Sequence, residues 1–283
     1  MGRGVAKTPL LVSGRGNLGR SLARALNASG NRARLVPARE VVPRIASDTV
    51  VFLAVPDSAV EDVAKRIARS SASERVSFVH VSGALGLDAL APLGAEHAVG
   101  SFHPLQSFPD PRPPDAFAGV TIAVDASTPA LRRTLARLAR DLGGRPKHVG
   151  DGARGLYHAA AVFASNYVVV VVDEGVRLLQ RAGFSRTEAE KALVPLVEGV
   201  VSNIRRQGSI KALTGPVRRG DVETVQRHLA ALGNAPQIEA VYRMLGQVAL
   251  EIAKEAGLEP AAAERTKRAL TRKVAATQRR RRS

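Results

Sequence analysis

The sequence predicts an α/β chain in two parts, a doubly wound parallel sheet in the first half and an all-helical second half. Three observations point there. Short β-branched runs alternate with helical stretches as far as about residue 150, the pattern of parallel strands joined by crossover helices. After Gly150, proline and glycine punctuate long helical stretches and no alternation of strands returns. The 283 residues also exceed the roughly 250 that a single hydrophobic core usually serves. The expected division is 1–150 for the sheet domain, 151–260 for the helical domain, and 261–283 for a basic C-terminal helix and tail.

Strands are expected at 9–13, 33–37, 49–55, 76–81, 98–102 and 120–124, with a last edge strand at 145–149. Between them, 18–28, 58–69 and 129–142 carry Leu, Ala, Val and Ile at helical spacing. Pro109, Pro111, Pro113 and Pro114 make the segment after Phe108 a loop. In the second half, Val168 to Val172 is a run of β-branched residues with strand propensity. It lies inside the stretch 156–181, which has apolar residues on all faces and reads as one uninterrupted, buried central helix. Ser185 and Glu188 form a capping box for a helix at 187–201, with a kink expected at Pro195. Further helices are expected at 222–232, 236–256 and 260–276.

Composition excludes several classes. With 45% hydrophobic and 24% charged residues, the chain is neither disordered nor fibrous. The absence of cysteine removes disulfides, thiolate metal sites, iron–sulfur clusters and a cysteine nucleophile together. No H-x-x-E, H-x-H or clustered acid pattern suggests a metal. Residues 9–12 are too short for the core of a secretion signal. The longest mostly apolar stretch, 159–172, holds Ser165, Asn166 and Tyr167 and falls short of the roughly 20 residues that span a membrane. A cytoplasmic protein without a membrane segment is therefore expected. Much of the formal charge of +17 is concentrated at the end. From Glu264 to Ser283 there are nine basic residues and one acid, closing on Arg279, Arg280, Arg281 and Arg282. This tail is either solvated and frayed or a polyanion-binding arm, and it is the only place where nucleic acid is expected to bind. At 4% aromatics, the body lacks the stacking platforms of a single-strand binder.

Gly14, Gly16 and Gly19 form a G-x-G-x-x-G string directly after the first expected strand and before the first helix. In this setting the three glycines serve, respectively, a tight turn, the close approach of a pyrophosphate, and the close packing of helix on strand. The helix N-terminus adds free amides and a positive dipole. Gly14, Arg15, Gly16, Asn17, Leu18 and Gly19 are thus candidate cofactor residues. About 20 residues on, where an acid would select NAD through the ribose, the chain reads Val36-Pro37-Ala38-Arg39-Glu40. Arg39 suits a 2′-phosphate, which favours NADP, with Arg15 adding to the same anion site; the other reading makes Glu40 the ribose acid and leaves Arg39 solvated.

The string Ser13 to Gly19 is followed by four more: Leu53-Ala54-Val55-Pro56-Asp57, Val81-Ser82-Gly83-Ala84, Ser101 to Phe108, and Tyr157 to Tyr167. With Leu213-Thr214-Gly215-Pro216 and Arg219-Gly220-Asp221, they resemble the Rossmann-like oxidoreductases with a C-terminal domain of unknown function. These are related to pyrroline-5-carboxylate reductases, deazaflavin-dependent NADP oxidoreductases and ketopantoate reductases. The resemblance extends to about Ala256. It implies a Rossmann sheet domain followed by a helical domain like the C-terminal domain of 6-phosphogluconate dehydrogenase. It also implies that Val55 and Pro56 pass along the cofactor and that Ser82 and Gly83 lie near the nicotinamide.

Hydride transfer to a carbonyl or imine needs a donor to meet the charge developing on oxygen or nitrogen. His103, in the loop after a strand, resembles the His-Pro motif of prephenate dehydrogenases; it is either that group or a capping histidine. On a continuous helix, His158, Val162, Ser165 and Asn166 share one broad face, so His158 and Asn166 are further catalytic candidates and Ser165 a substrate contact. They are equally consistent with polar pairing inside a bundle. In related hydroxyacid dehydrogenases a lysine stands four residues before the asparagine; here that residue is Val162, so the usual acid is missing. Thr214 and Arg219 are candidates for a substrate carboxylate site. The expected activity is NADPH-dependent reduction of a small keto acid or cyclic imine in a cleft between the domains, by a homodimer formed through the helical domain. Ketopantoate reduction is the most concrete version and pyrroline-5-carboxylate reduction the nearest alternative. The contrasting reading is a non-catalytic NADP-binding redox sensor that holds nucleic acid through its tail.

Overall fold

The computed structural model describes residues 8–39, 45–69 and 75–272, so Glu40 and Arg279 to Arg282 lie outside the described residues. By internal contacts the chain forms two compact units, Met1–Val168 and Val169–Ser283.

The first unit is built on a seven-stranded sheet. Strand β1 (Leu10–Ser13) leads through α1 (Asn17–Ala28) to β2 (Ala33–Val36). Then come β3 (Val50–Leu53), α2 (Asp57–Ala68) and β4 (Ser77–His80). A 3₁₀ turn at Leu87–Leu90 and the single-turn α3 (Ala91–Gly94) precede β5 (Ala98–Pro104). The unit continues with β6 (Thr121–Ala126), α4 (Pro129–Asp141), β7 (Arg145–His148) and α5 (Asp151–Ala164). The strand order is β2-β1-β3-β4-β5-β6-β7. Strands β1 to β5 are mutually parallel, but β6 runs antiparallel to β5, in the register Phe102 to Val124, and β7 is parallel to β6. The expected parallel sheet is thus present, with β5 and β6 as its one antiparallel pair among the described residues. The proline-rich segment after β5 forms only a 3₁₀ turn at Pro114–Phe117. Without a crossover helix the chain returns beside the strand it left, whereas α4 supplies the crossover that makes β6 and β7 parallel.

Both faces of the sheet are covered. Leu22, Ala25 and Leu26 of α1 and Leu131, Leu135 and Leu138 of α4 pack with Phe52, Phe102 and Val124 on one side. Val60, Val63 and Ala64 of α2 meet Phe78, Leu90 and Leu93 on the other. Two covered faces explain the fully buried, non-alternating run of β3, Val50 to Leu53.

The second unit contains most of α6 (Asn166–Arg181), then α7 (Arg186–Ala212), α8 (Pro216–Arg219), α9 (Val222–Leu232), α10 (Pro236–Glu255) and α11 (Pro260–Thr271). Its core is Val217, Val225, Leu229, Leu250, Ala263 and Leu270. The β-branched run Val168 to Val172 is helical, as its context requires. Two expectations for this half are corrected. The stretch 156–181 is neither uninterrupted nor buried: Ser165 leaves helical geometry (φ −124°, ψ −75°), and Leu156, Phe163 and Val169 are 81%, 69% and 68% exposed. Helix α7 continues through Pro195 to Ala212, and its break falls at Gly208 (φ 78°, ψ 166°), a conformation that glycine adopts without penalty. The capping box of Ser185 and Glu188 forms as expected.

Candidate functional site

In a parallel sheet, ligands bind outside the carboxyl ends of the strands, next to the point where strand order reverses. Here that point lies between β1 and β3, where the glycine string stands. Gly14 has φ +124°, and a Cβ there would fall 2.1 Å from the Ala54 carbonyl oxygen. A Cβ on Gly19 would fall 2.1 Å from the Gly14 carbonyl oxygen. Around Gly16, by contrast, a Cβ would meet nothing within 4 Å, and no side chain caps the helix that begins there. Two glycines therefore permit close backbone packing and the third leaves an open approach to the amides of α1.

The other nucleotide candidates divide. Arg15 and Arg39 are exposed at the ends of β1 and β2. Arg15 also lines an open groove of about 440 Å³ along α1, with Arg20, Arg24 and Leu35. Asn17 is engaged elsewhere: its amide donates to the carbonyls of Phe108 (3.2 Å) and Pro109 (2.6 Å) and ties the proline-rich segment onto the start of α1. Leu18 packs on the hydrophobic core. Val55 packs against the α2 side of the sheet, and Pro56 is the N-cap of α2. Arg66 of α2, not singled out from the sequence, donates to the Ala38 carbonyl (2.9 Å) and so stands at the turn that carries Arg39.

At the ends of β4 and β5 a polar cluster forms. The Ser82 hydroxyl donates to Asp57 (2.7 Å) and accepts from the amides of Ala84 and Leu85, which shapes the turn after β4. The next residue, Gly83, lies against the imidazole of His103, where a Cβ would come within 2.7 Å of the ring. His103 Nδ1 pairs with the Tyr157 hydroxyl at 2.8 Å, and the rings of His103 and His158 are 6.4 Å apart. Beneath them Arg154, 1% exposed, binds the Ser101 hydroxyl and Asp151, which also accepts from the amide of Leu87. His80, fully buried, donates from Nε2 to the Gly86 carbonyl. Arg154 Nη1, His80 Nδ1 and His158 Nδ1 are buried without a hydrogen-bond partner.

Burial, reinforced by the positive charges around it, lowers His103 to about 4; His158 and Arg154 act in that direction and Asp57 against it. Burial and Arg154 likewise lower His80 to about 4. Burial pushes the Tyr157 phenol up to about 12. Around neutral pH the site therefore holds His80 and His103 as neutral imidazoles and a protonated Tyr157 phenol beside a buried guanidinium, an arrangement that donates hydrogen bonds to developing negative charge.

The structure thus brings His103 and His158 together and adds Tyr157 and Asp57, which lie in the quoted strings without an assigned role, and Arg154 and Asp151, which no string includes. Tyr157 and Arg154 stand one helical turn apart at i and i+3, a spacing legible only once α5 is known to face β5. Ser165 and Asn166 are exposed at and just beyond the break after α5, so the single helical face expected for them with His158 does not form. In the second unit, Thr214 and Arg219 line an open cavity of about 640 Å³ with Lys211 and Arg218. Arg218 is held by the Ala256 carbonyl (2.9 Å), and Arg219 lies 3.9 Å from Asp221. Among the described residues no cluster of His, Asp and Glu could hold a metal.

Residues 15–104 match the family described as a Rossmann-like domain, and residues 120–249 match the domain of unknown function DUF2520. No curated protein is similar enough in sequence to be matched. Among solved structures, a Bacteroides fragilis protein described as an NADP oxidoreductase shares 24% identity over 86% of this chain and 98% of its own, with a TM-score of 0.70. A Thermotoga maritima protein shares 21% over 87% and 99%, also with a TM-score of 0.70. Plasmodium falciparum pyrroline carboxylate reductase, solved with NADP bound, shares 13% over 94% and 100%, with a TM-score of 0.56. Two family models thus match successive parts of the chain, Rossmann-like and then DUF2520, and its fold is similar to that of this NADP oxidoreductase and this pyrroline carboxylate reductase.

Proposed function

We propose that the chain is an NADPH-dependent oxidoreductase that reduces a small keto acid or a cyclic imine. The observation that carries this reading is the placement of His103, with His158 beside it, at the same edge of the parallel sheet as the open glycine turn. The turn fits a dinucleotide: Gly16 leaves room for a pyrophosphate at the α1 amides, while Gly14 and Gly19 are closed by backbone. Arg15 and Arg39 suit the 2′-phosphate, and Arg66 holds the turn that presents Arg39. A dinucleotide held at this turn would supply a hydride to the substrate carbon, with the C=O or C=N electron pair moving onto oxygen or nitrogen, which would take a proton. The chain's part is to meet that charge. Neutral His103 offers a hydrogen bond to the atom where it develops, and His158 is the second donor. Gly83 gives the His103 ring its place, and Ser82 fixes the turn that holds Gly83. The cavity of Thr214, Arg218, Arg219 and Lys211 has the chemistry to receive a substrate carboxylate. Asn166 and Ser165 stay candidates as exposed groups beside the helix break.

Ketopantoate is the most concrete keto acid, and the fold shared with a pyrroline carboxylate reductase adds weight to the imine alternative. The test is fluorescence titration with NADPH and NADH, then turnover by absorbance against ketopantoate, pyrroline-5-carboxylate and other small keto acids. Tight NADPH binding with oxidation by one substrate supports the reading. Binding without turnover across the panel points to a substrate outside it or to the sensor, and no binding of either nucleotide overturns the proposal.

A homodimer through the helical unit belongs to the same reading. Only Ala189 is buried among the 27 residues of α7, which leaves Val194, Leu196, Val200, Val201 and Ile204 exposed beside Val169 to Val171 of α6. A helix that long with so little of its apolar surface covered calls for a partner surface. The stretch Asp151–Arg181 is long and apolar enough to cross a membrane by length and composition. Its break at Ser165, the buried Arg154, and Asp173 paired to both Arg177 (2.8 Å) and Arg186 (2.7 Å) favour a protein partner, in keeping with a cytoplasmic enzyme.

A further inference from the structure

His103 has two ring nitrogens, and only one of them is committed within the protein. Nδ1 lies 2.8 Å from the Tyr157 hydroxyl, while no hydrogen-bond partner faces Nε2 among the described residues. Within the protein the phenol has two places to send its hydrogen, Nδ1 at 2.8 Å or the His103 carbonyl at 3.5 Å. Hydroxyl hydrogen bonds fall between about 2.5 and 3.0 Å, so distance selects Nδ1. A nitrogen that accepts from a phenol carries no hydrogen of its own, and in a neutral imidazole the hydrogen must then sit on the other nitrogen.

From this geometry we propose that Tyr157 is a positioning residue that fixes the tautomer of His103, holding its hydrogen on Nε2 so that the histidine faces a substrate as a neutral donor. Close packing hinders the ring from turning over. Gly83 lies against one face, where even a Cβ would come within 2.7 Å, and Tyr157 packs edge-on at 5.5 Å between ring centroids. The charged and titratable groups around the ring are Tyr157, His158 and Arg154 on α5, His80 on β4 and Asp57 on α2. Arg154 and the histidines oppose a second proton on His103, and Asp57 favours one without reversing the balance. The same logic operates once more in the cluster, where His80 has Nε2 on the Gly86 carbonyl and is thereby fixed as the Nε2–H form.

The tautomer stands on the structure alone; its use in turnover rests on the reductase reading above. The test is ¹⁵N imidazole NMR on the full chain, with His103 assigned by loss of its signals in His103→Gln and His158→Gln as a control. In the wild type near pH 7, His103 should show a pyridine-type Nδ1 and a pyrrole-type Nε2. In Tyr157→Phe, which removes one oxygen and keeps the ring, the two signals should move toward each other as both tautomers become populated. A pyrrole-type Nδ1 in the wild type, or unchanged signals in Tyr157→Phe, overturns the proposal whatever the enzyme does. If a substrate has been found, Tyr157→Phe should lower kcat roughly tenfold with little change in KM, since general-acid contributions are of order 10²–10⁴ and the variant retains the imidazole. The NMR result without any turnover leaves the tautomer standing and tells against the reductase reading alone.

Discussion

The three glycines after β1 should separate cleanly under substitution. At Gly19, a methyl group would lie 2.1 Å from the Gly14 carbonyl oxygen and 3.1 Å from the Ala54 Cβ. The first obstacle is backbone and cannot swing aside, so the cost is that of overpacking, typically about 1–3 kcal/mol. Replacing a helical glycine by alanine returns up to about 1 kcal/mol in propensity, which reduces this cost without cancelling it. Gly19→Ala should therefore lose roughly 1–2 kcal/mol, and Tm should fall by about 2–8 °C at the usual 2–4 °C per kcal/mol. At Gly16 a methyl meets nothing within 4 Å, and the backbone (φ −66°, ψ 176°) is open to alanine. Gly16→Ala should leave stability within about 0.5 kcal/mol while lowering NADPH affinity at least about tenfold, or about 1.4 kcal/mol. Thermal and urea unfolding followed by circular dichroism, with NADPH titration by fluorescence, read both quantities. If Gly16→Ala lost as much stability as Gly19→Ala, or bound NADPH like the wild type, the division of labour drawn from these contacts would be wrong.

Four further outcomes are expected. His80 and His103 are lowered to about 4 in the folded chain against about 6.5 unfolded, so between these values the unfolded chain binds more protons and stability rises with pH. Urea midpoints should climb from about pH 4 to 6.5 and then level off, and His80→Gln should flatten part of the slope. Arg154→Met leaves the Ser101 hydroxyl and one side of Asp151 without their donor, which should cost about 1–3 kcal/mol in urea unfolding, and it should also raise the His103 titration seen by NMR. Arg39→Asp should reverse the proposed NADPH over NADH preference in paired titrations, and equal affinities before and after would assign the 2′-phosphate elsewhere. Ile204→Glu on the exposed face of α7 should convert a dimer to a monomer by light scattering, and a wild-type monomer would remove that interface.

Much of the first unit was legible because its signals are local. The glycine string, the β-branched runs and the prolines after Phe108 each constrain only a few residues, and the 3.6-residue period of α1, α2 and α4 exposes which helix face is buried. The direction of β6 was not legible, because no residue in it distinguishes parallel from antiparallel pairing; the absence of a crossover helix after β5 decides it. In the second half, apolar residues on every face of 156–181 read as burial, yet a single chain leaves them exposed. Composition reports that a surface wants covering and cannot say whether the cover comes from the same chain.

Sequence alone thus determined the strands of the first unit and its helices α1, α2 and α4, the glycine turn and the two histidines worth considering. Tertiary structure decided that those histidines meet, that Tyr157 rather than Asn166 is the close partner of His103, and that Asn17 serves the Phe108 and Pro109 carbonyls. The physical reason is range. A turn or a helix face is written in residues a few positions apart, whereas the contact of His103 with Tyr157 spans 54 residues and exists only because α5 packs its first turns over the end of β5.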